Sequence, residues 1–159
     1  MLLFDAPSRR QIDTALAVLR IVLGITFLLH GGQKLFVFGF SGVSRAFAQM
    51  GIPAPGLLGP FVALVEFFGG IAILLGLLTR LAALGVGATM VVAILTVHLK
   101  HGFFAPTGVE LPLALLASAI ALVITGAGAF SVDQLIGQRL SGGRVAEPEV
   151  ARTRTRRVA

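Results

Sequence analysis

The chain of 159 residues contains no cysteine, no tryptophan and no tyrosine, and only 13% of it is charged. Each shortage excludes something. Without cysteine there are no disulfides, no thiolate metal ligands and no thiol redox chemistry, so any redox role must rest on a bound cofactor or a quinone. Without Trp and Tyr the usual aromatic anchors of a membrane interface are missing, and only some of the twelve Phe residues can replace them. Soluble domains carry about 25% charged residues. Here the hydrophobic share is 56% and the mean hydropathy is +0.95.

What is present is four long apolar segments, roughly 15–29, 57–78, 81–99 and 111–129. A hydrocarbon core of ~30 Å takes ~20 apolar residues per helix, so each segment is about long enough to span it. The predicted fold is all-α, an integral membrane four-helix bundle. A short interfacial helix on the outer side and a short cytoplasmic helix after the fourth span complete it. The twenty glycines suit helices that approach closely in lipid. The membrane domain is expected over 1–140, followed by a basic, disordered tail over 141–159. Asp5, Arg9, Arg10 and Asp13 precede the first apolar run, and no small-residue cleavage site follows. That run therefore reads as a retained helix, not a signal peptide.

The connections carry their own signals. Val43, Ala46, Phe47 and Met50 recur at i, i+3, i+4, i+7, which predicts a short amphipathic helix over 41–50. The Pro- and Gly-rich stretch 51–60 ends that helix and bends the chain into the second span. Thr79 and Arg80 alone separate spans two and three, which forces a tight antiparallel hairpin. Thr107 with Glu110, and Ser131 with Gln134, have capping-box spacing and predict helix starts near Gly108 and after Ser131.

Orientation follows from the basic residues. Arg9, Arg10, Arg80, Arg139, Arg144, Arg152, Arg154, Arg156 and Arg157 lie on the side of the termini, against Lys34, Arg45 and Lys100 on the other. By the positive-inside rule this nine-to-three bias puts both termini in the cytoplasm of a bacterium, with the bundle in its inner membrane. The arginines of the tail suit anionic lipid. No aromatic residues interleave with them, so nucleic acid is not an expected partner.

Ionisable residues inside or beside the spans need a reason, because a charge at mid-membrane costs about 2.5–3.5 kcal/mol on insertion scales. Glu66 lies about ten residues into the second span and must face the bundle interior. Arg20, in the first span, is near enough in depth to pair with it as a structural ion pair. The alternatives are that Arg20 snorkels to the interface or that Glu66 stands alone as a neutral acid.

His30, Lys34, His98, His101 and Glu110, with Gln33 and Lys100, fall near the outer ends of three helices, which an antiparallel bundle brings to one face. His30, Lys34, Glu66, His98, His101 and Glu110 are the candidate ligand-binding residues. Three histidines and two carboxylates are metal-ligand types. Their spacing matches no metal motif, and two nearby lysines would repel a cation, so no metal is expected. A polar pocket for a quinone headgroup or a small anion is the functional alternative to a wetted interfacial rim.

In order, the chain reads Leu19-Arg20, His30-Gly31-Gly32-Gln33-Lys34-Leu35, Gly51-Ile52-Pro53, Glu66-Phe67-Phe68-Gly69-Gly70, Thr79-Arg80, His101-Gly102-Phe103-Phe104 and Glu110-Leu111-Pro112. Over about 13–135 this order resembles the DoxX family of small bacterial four-helix membrane proteins. The resemblance implies an association with membrane redox and oxidative-stress systems. It supplies no agreed catalytic residue. The expected function is an accessory subunit that binds a quinone or a redox protein partner at an outer-facing polar pocket, with no covalently held cofactor. A small transporter or channel, which would need to form a homo-oligomer, and a structural membrane adaptor are the alternatives.

Overall fold

The computed structural model describes residues 5–142, and within them every regular element is helical. α1 spans Arg9–Gly32 and continues through a π-helical turn, Gln33–Phe38, to a backbone break at Gly39 (φ +65°, ψ 168°), where α2, Gly39–Gln49, begins. α3 spans Pro55–Leu75. α4, Thr79–Ala93, continues through a second π-helical turn, Ile94–His98, and a 3₁₀ turn, Leu99–His101. α5 spans Glu110–Thr125 and α6 spans Val132–Gly142. The expected tail over 141–159 lies, beyond Gly142, outside the described residues.

Three of these helices, over Arg9–Gln49, Pro55–Leu75 and Thr79–His101, are long and apolar enough to cross a membrane. α5 is apolar too, but its 16 residues reach only about 24 Å at ~1.5 Å each. It packs as the fourth member of the bundle against α4 and α1. The distribution of side chains suits lipid outside: Val22, Leu29, Phe61, Leu84, Leu95 and Ile124 are exposed on the outer faces. The interior holds Leu23, Phe27, Ile73, Val86 and Leu122 with the small Ala63, Ala83 and Ala119.

Small residues let α1 and α3 come into near backbone contact. A Cβ on Gly24 would lie 2.8 Å from the Leu74 nitrogen, and one on Gly31 or Gly70 would be closer still to Phe67 or Leu28. Such approach is how helices gain packing energy in lipid. It also fixes the register, because Gly24 faces Gly70 and Leu74 while Gly31 faces Glu66 and Phe67.

Two starts differ from expectation. Thr107 does not cap α5. Val109 holds the N-cap position, and the Glu110 carboxylate turns back to accept from the Ala105 nitrogen at 3.0 Å, because the 102–109 loop folds over the helix start. At the other end of the chain Ser8 and Gln11 form a capping box at the start of α1, an S-x-x-Q spacing as legible as the two noted above. Ser131 does accept from the Gln134 nitrogen, at 3.2 Å, ahead of α6.

Candidate functional site

The register of α1 against α3 decides which charges meet. Glu66 sits opposite Gly31, and Lys34 is three residues beyond Gly31, so its side chain is on the same face about a turn away. Lys34 donates to the Glu66 carboxylate as an ion pair. Glu66 is 4% exposed, so the pair is drawn well inside the bundle.

The expected Arg20–Glu66 pair is corrected by the same register. Arg20 is eleven residues before Gly31, about 16 Å along the axis at ~1.5 Å per residue. The sequence places the two at similar depth only if span one ends near Leu29. The helix instead runs on through Gln33–Phe38, which moves Glu66 toward the end remote from the termini. Arg20 is buried at the other end, where its Nη2 donates to the Phe130 carbonyl. Gly76, at φ +68°, passes directly over the guanidinium, and a Cβ there would collide with Nη1 and with Ser131.

Around Glu66 and Lys34 the bundle core opens into a cavity of about 380 Å³. Phe27 and Met90, which belong to the packed core, form its floor. His30, Lys34, Glu66 and His98 all line it, as do Thr89 and Thr96 from one side of α4 and its π-helical extension. The rest of the wall is apolar, including Phe47 of α2, Ile52, Pro106 and Leu115. α2 packs on α3 and so brings Phe47 over this side of the bundle.

Both π-helical turns border the cavity, one carrying Lys34 and the other Thr96 and His98. π turns interrupt the ordinary helical step and occur frequently at functional sites. His98 donates from Nδ1 to the Thr107 carbonyl at 2.7 Å, because a carbonyl can only accept. In the neutral ring this leaves Nε2 as an acceptor.

His101 and Glu110 do not join the cavity lining. His101 closes the 3₁₀ turn Leu99–His101, just before the chain leaves the helix at Gly102, φ +81°. The His101 ring folds back to the Val97 carbonyl at 2.9 Å, while Glu110 is held by Ala105. Among the described residues no three His, Asp or Glu side chains come together as metal ligands would. The threonines are the cavity residues that the sequence reading passed over. Thr89 and Thr96 are seven apart in an apolar span, a polar i, i+7 pair on one face, and that spacing was the available signal.

The DoxX family model matches residues 15–99, a stretch that contains α1 from Ala15 onward, α2, α3, α4 and all six of the polar cavity residues named above. Inner membrane protein YqjF of Escherichia coli is 37% identical over 131 residues, covering 80% of this chain and 95% of that protein. A Bacillus subtilis protein named "Putative oxidoreductase CatD" is 29% identical over 136 residues, covering 86% and 97%. Inner membrane protein YphA of Escherichia coli is 28% identical over 141 residues, covering 82% and 95%. No solved structure matches the chain.

Proposed function

The chain belongs to the DoxX family of multi-pass bacterial inner-membrane proteins, and from that premise we propose that it binds a quinone headgroup in the cavity between α1, α3, α4 and α5. The observation that carries this reading is the convergence of His30, Lys34, Glu66 and His98, from three separate helices, on one otherwise apolar cavity of about 380 Å³. Ligand sites are typically of this kind: apolar walls with a few convergent polar groups, in a volume of roughly 300–1,000 Å³. An apolar ring with two polar oxygens and an isoprenoid tail suits such walls. The tail would leave toward lipid past the exposed apolar residues of the outer faces.

The protein would act as an accessory subunit of a membrane redox system, with the electron-carrying group supplied by the quinone or by a protein partner. The oxidoreductase name of the Bacillus subtilis relative supports the redox assignment. With nine basic residues toward the termini and three opposite, both termini would be cytoplasmic and the cavity would lie nearer the outer side.

The test is purification in mild detergent followed by extraction and mass spectrometry of bound lipids. A quinone at near-equal molar amount is expected, and it should be lost from Lys34→Met. Absence of any quinone, together with no binding of added decyl-benzoquinone at tens of micromolar, would overturn the reading. Cysteines introduced at Ser44 and Gln138 of this cysteine-free chain should label from outside and inside respectively.

A further inference from the structure

The polar atoms around the cavity are not balanced between donors and acceptors. The Thr89 hydroxyl donates its proton to the Val86 carbonyl at 2.7 Å, and the Thr96 hydroxyl donates to the Val92 carbonyl at 2.7 Å. Each therefore has only lone pairs to offer a ligand. His98 has spent its ring proton on Thr107 and retains the Nε2 lone pair. The Glu66 carboxylate can only accept, and one of its oxygens takes the Lys34 ammonium. Lys34, with two further N–H groups, is the one fixed donor among these five residues. His30, which also lines the cavity, can serve in either sense.

A quinone headgroup brings acceptors alone. It can take a hydrogen bond from Lys34, but it leaves the lone pairs of His98, Glu66 and the two threonines facing carbonyl oxygens. Of these acceptors Glu66 and Thr89 are buried, where an acceptor without a donor is costly. A hydroquinone of the same shape brings two O–H donors and keeps two oxygens that accept. One oxygen can accept a hydrogen bond from Lys34 while the hydroxyls donate to two of the acceptors.

On the reading that this cavity takes a quinone-type ring, we infer that it selects the reduced form, holding hydroquinone at least tenfold more tightly than the corresponding quinone. The specificity-determining groups are His98, Glu66, Thr89 and Thr96, acting as acceptors. A tenfold preference raises the midpoint potential of the bound two-electron couple by about 30 mV.

The experiment is anaerobic binding to the full chain in detergent of three ligands: decyl-benzoquinone, its hydroquinone, and the di-O-methyl ether of that hydroquinone, which has the reduced ring but no O–H donor. Hydroquinone should bind tightest, with the quinone and the ether each at least tenfold weaker. Thr96→Val keeps side-chain shape and removes one acceptor, so it should lower hydroquinone affinity severalfold and quinone affinity by less, narrowing the preference. Glu66→Gln exchanges an acceptor oxygen for a donor and should narrow the preference to within about threefold. Equal binding of quinone and hydroquinone, tighter binding of quinone, or equal binding of hydroquinone and its ether would each overturn the inference and leave a quinone site standing. If neither quinone nor hydroquinone binds, the quinone reading fails and takes this inference with it.

Discussion

Both ends of the bundle bury charge, yet the two ends spend it differently. At the end that carries the termini the partners are backbone groups. Arg20 donates to the Phe130 carbonyl, Asp13 accepts from the Ala129 nitrogen at 2.9 Å, and Asp133 accepts from Leu78 and Thr79 nitrogens at 2.7 and 2.9 Å. Arg80 donates to the Ile124 carbonyl at 3.3 Å. A recess of about 660 Å³ lies there, but its two aspartates and Arg80 are engaged in tying loops to helix ends. At the opposite end Lys34 and Glu66 bind one another across a cavity edge, and His98 uses one ring nitrogen and keeps the other. A buried charge is therefore not by itself the mark of a site. Charge spent on backbone holds the fold together; charge spent on another side chain beside open volume can be shared with a ligand.

The comparison breaks most completely where both ends depend on the same contact, the α1–α3 seam. Gly31→Leu drives a side chain into the backbone at Phe67 and should cost about 3 kcal/mol, seen as a large fall in the midpoint of thermal unfolding in detergent, with ligand binding lost as well. A more selective change is at the ion pair. Lys34→Met leaves the Glu66 carboxylate buried without its partner and should cost about 3 kcal/mol, whereas the double change Lys34→Met with Glu66→Leu should return to within about 1 kcal/mol of the parent. Ligand binding should fail in both proteins. If the double variant stays as unstable as the single one, the pair is structural and resembles the terminal end after all.

Much of this contrast was open to reading from residue order, and part was not. The apolar runs and the spans' polar interruptions marked His30, Lys34, Glu66 and His98 because bilayer energetics makes such residues costly wherever they fall. The pairing among them was hidden, since it depends on axial register, and register is set by where Gly24, Gly31 and Gly70 allow backbones to touch. Those glycines were visible as small residues, but nothing in their spacing within one helix says which residue of the other helix they meet. The π-helical turns were hidden for a related reason: one extra residue in a turn leaves hydrophobic periodicity nearly unchanged while rotating Lys34 and His98 relative to the helix below. At the terminal end the roles of Asp133 and Asp13 were not legible in residue order, because their partners are backbone nitrogens 54 and 116 residues away.

The terminal end supplies the next test. Asp133→Ala removes acceptors from two backbone N–H groups at the start of α4 and should cost about 2 kcal/mol, the upper range for loss of a helix cap. Ligand affinity in the cavity should not change, because every residue concerned lies at the other end. A Kd that rises together with the loss of stability would mean that the two ends are coupled through α3 and α4, and the division of roles would need to be redrawn.

The smallest expected effect concerns strain held by that same aspartate. Leu78, in the turn between α3 and α4, adopts φ +46° and ψ +39°, a left-handed conformation that costs a side-chain-bearing residue roughly 1–2 kcal/mol. Asp133 secures it by accepting from its nitrogen. Leu78→Gly removes the steric cost but gives the unfolded chain more freedom, an offset of about 0.4–1 kcal/mol. The net should be a gain of about 0.5 kcal/mol, a rise of a degree or two in unfolding midpoint, with no change in ligand affinity. In the Asp133→Ala background, where the turn has lost what held it, the same glycine should recover more than it gains in the parent. Equal gains in both backgrounds would show that the left-handed turn is set by the hairpin alone, and that Asp133 caps α4 without bearing any of its strain.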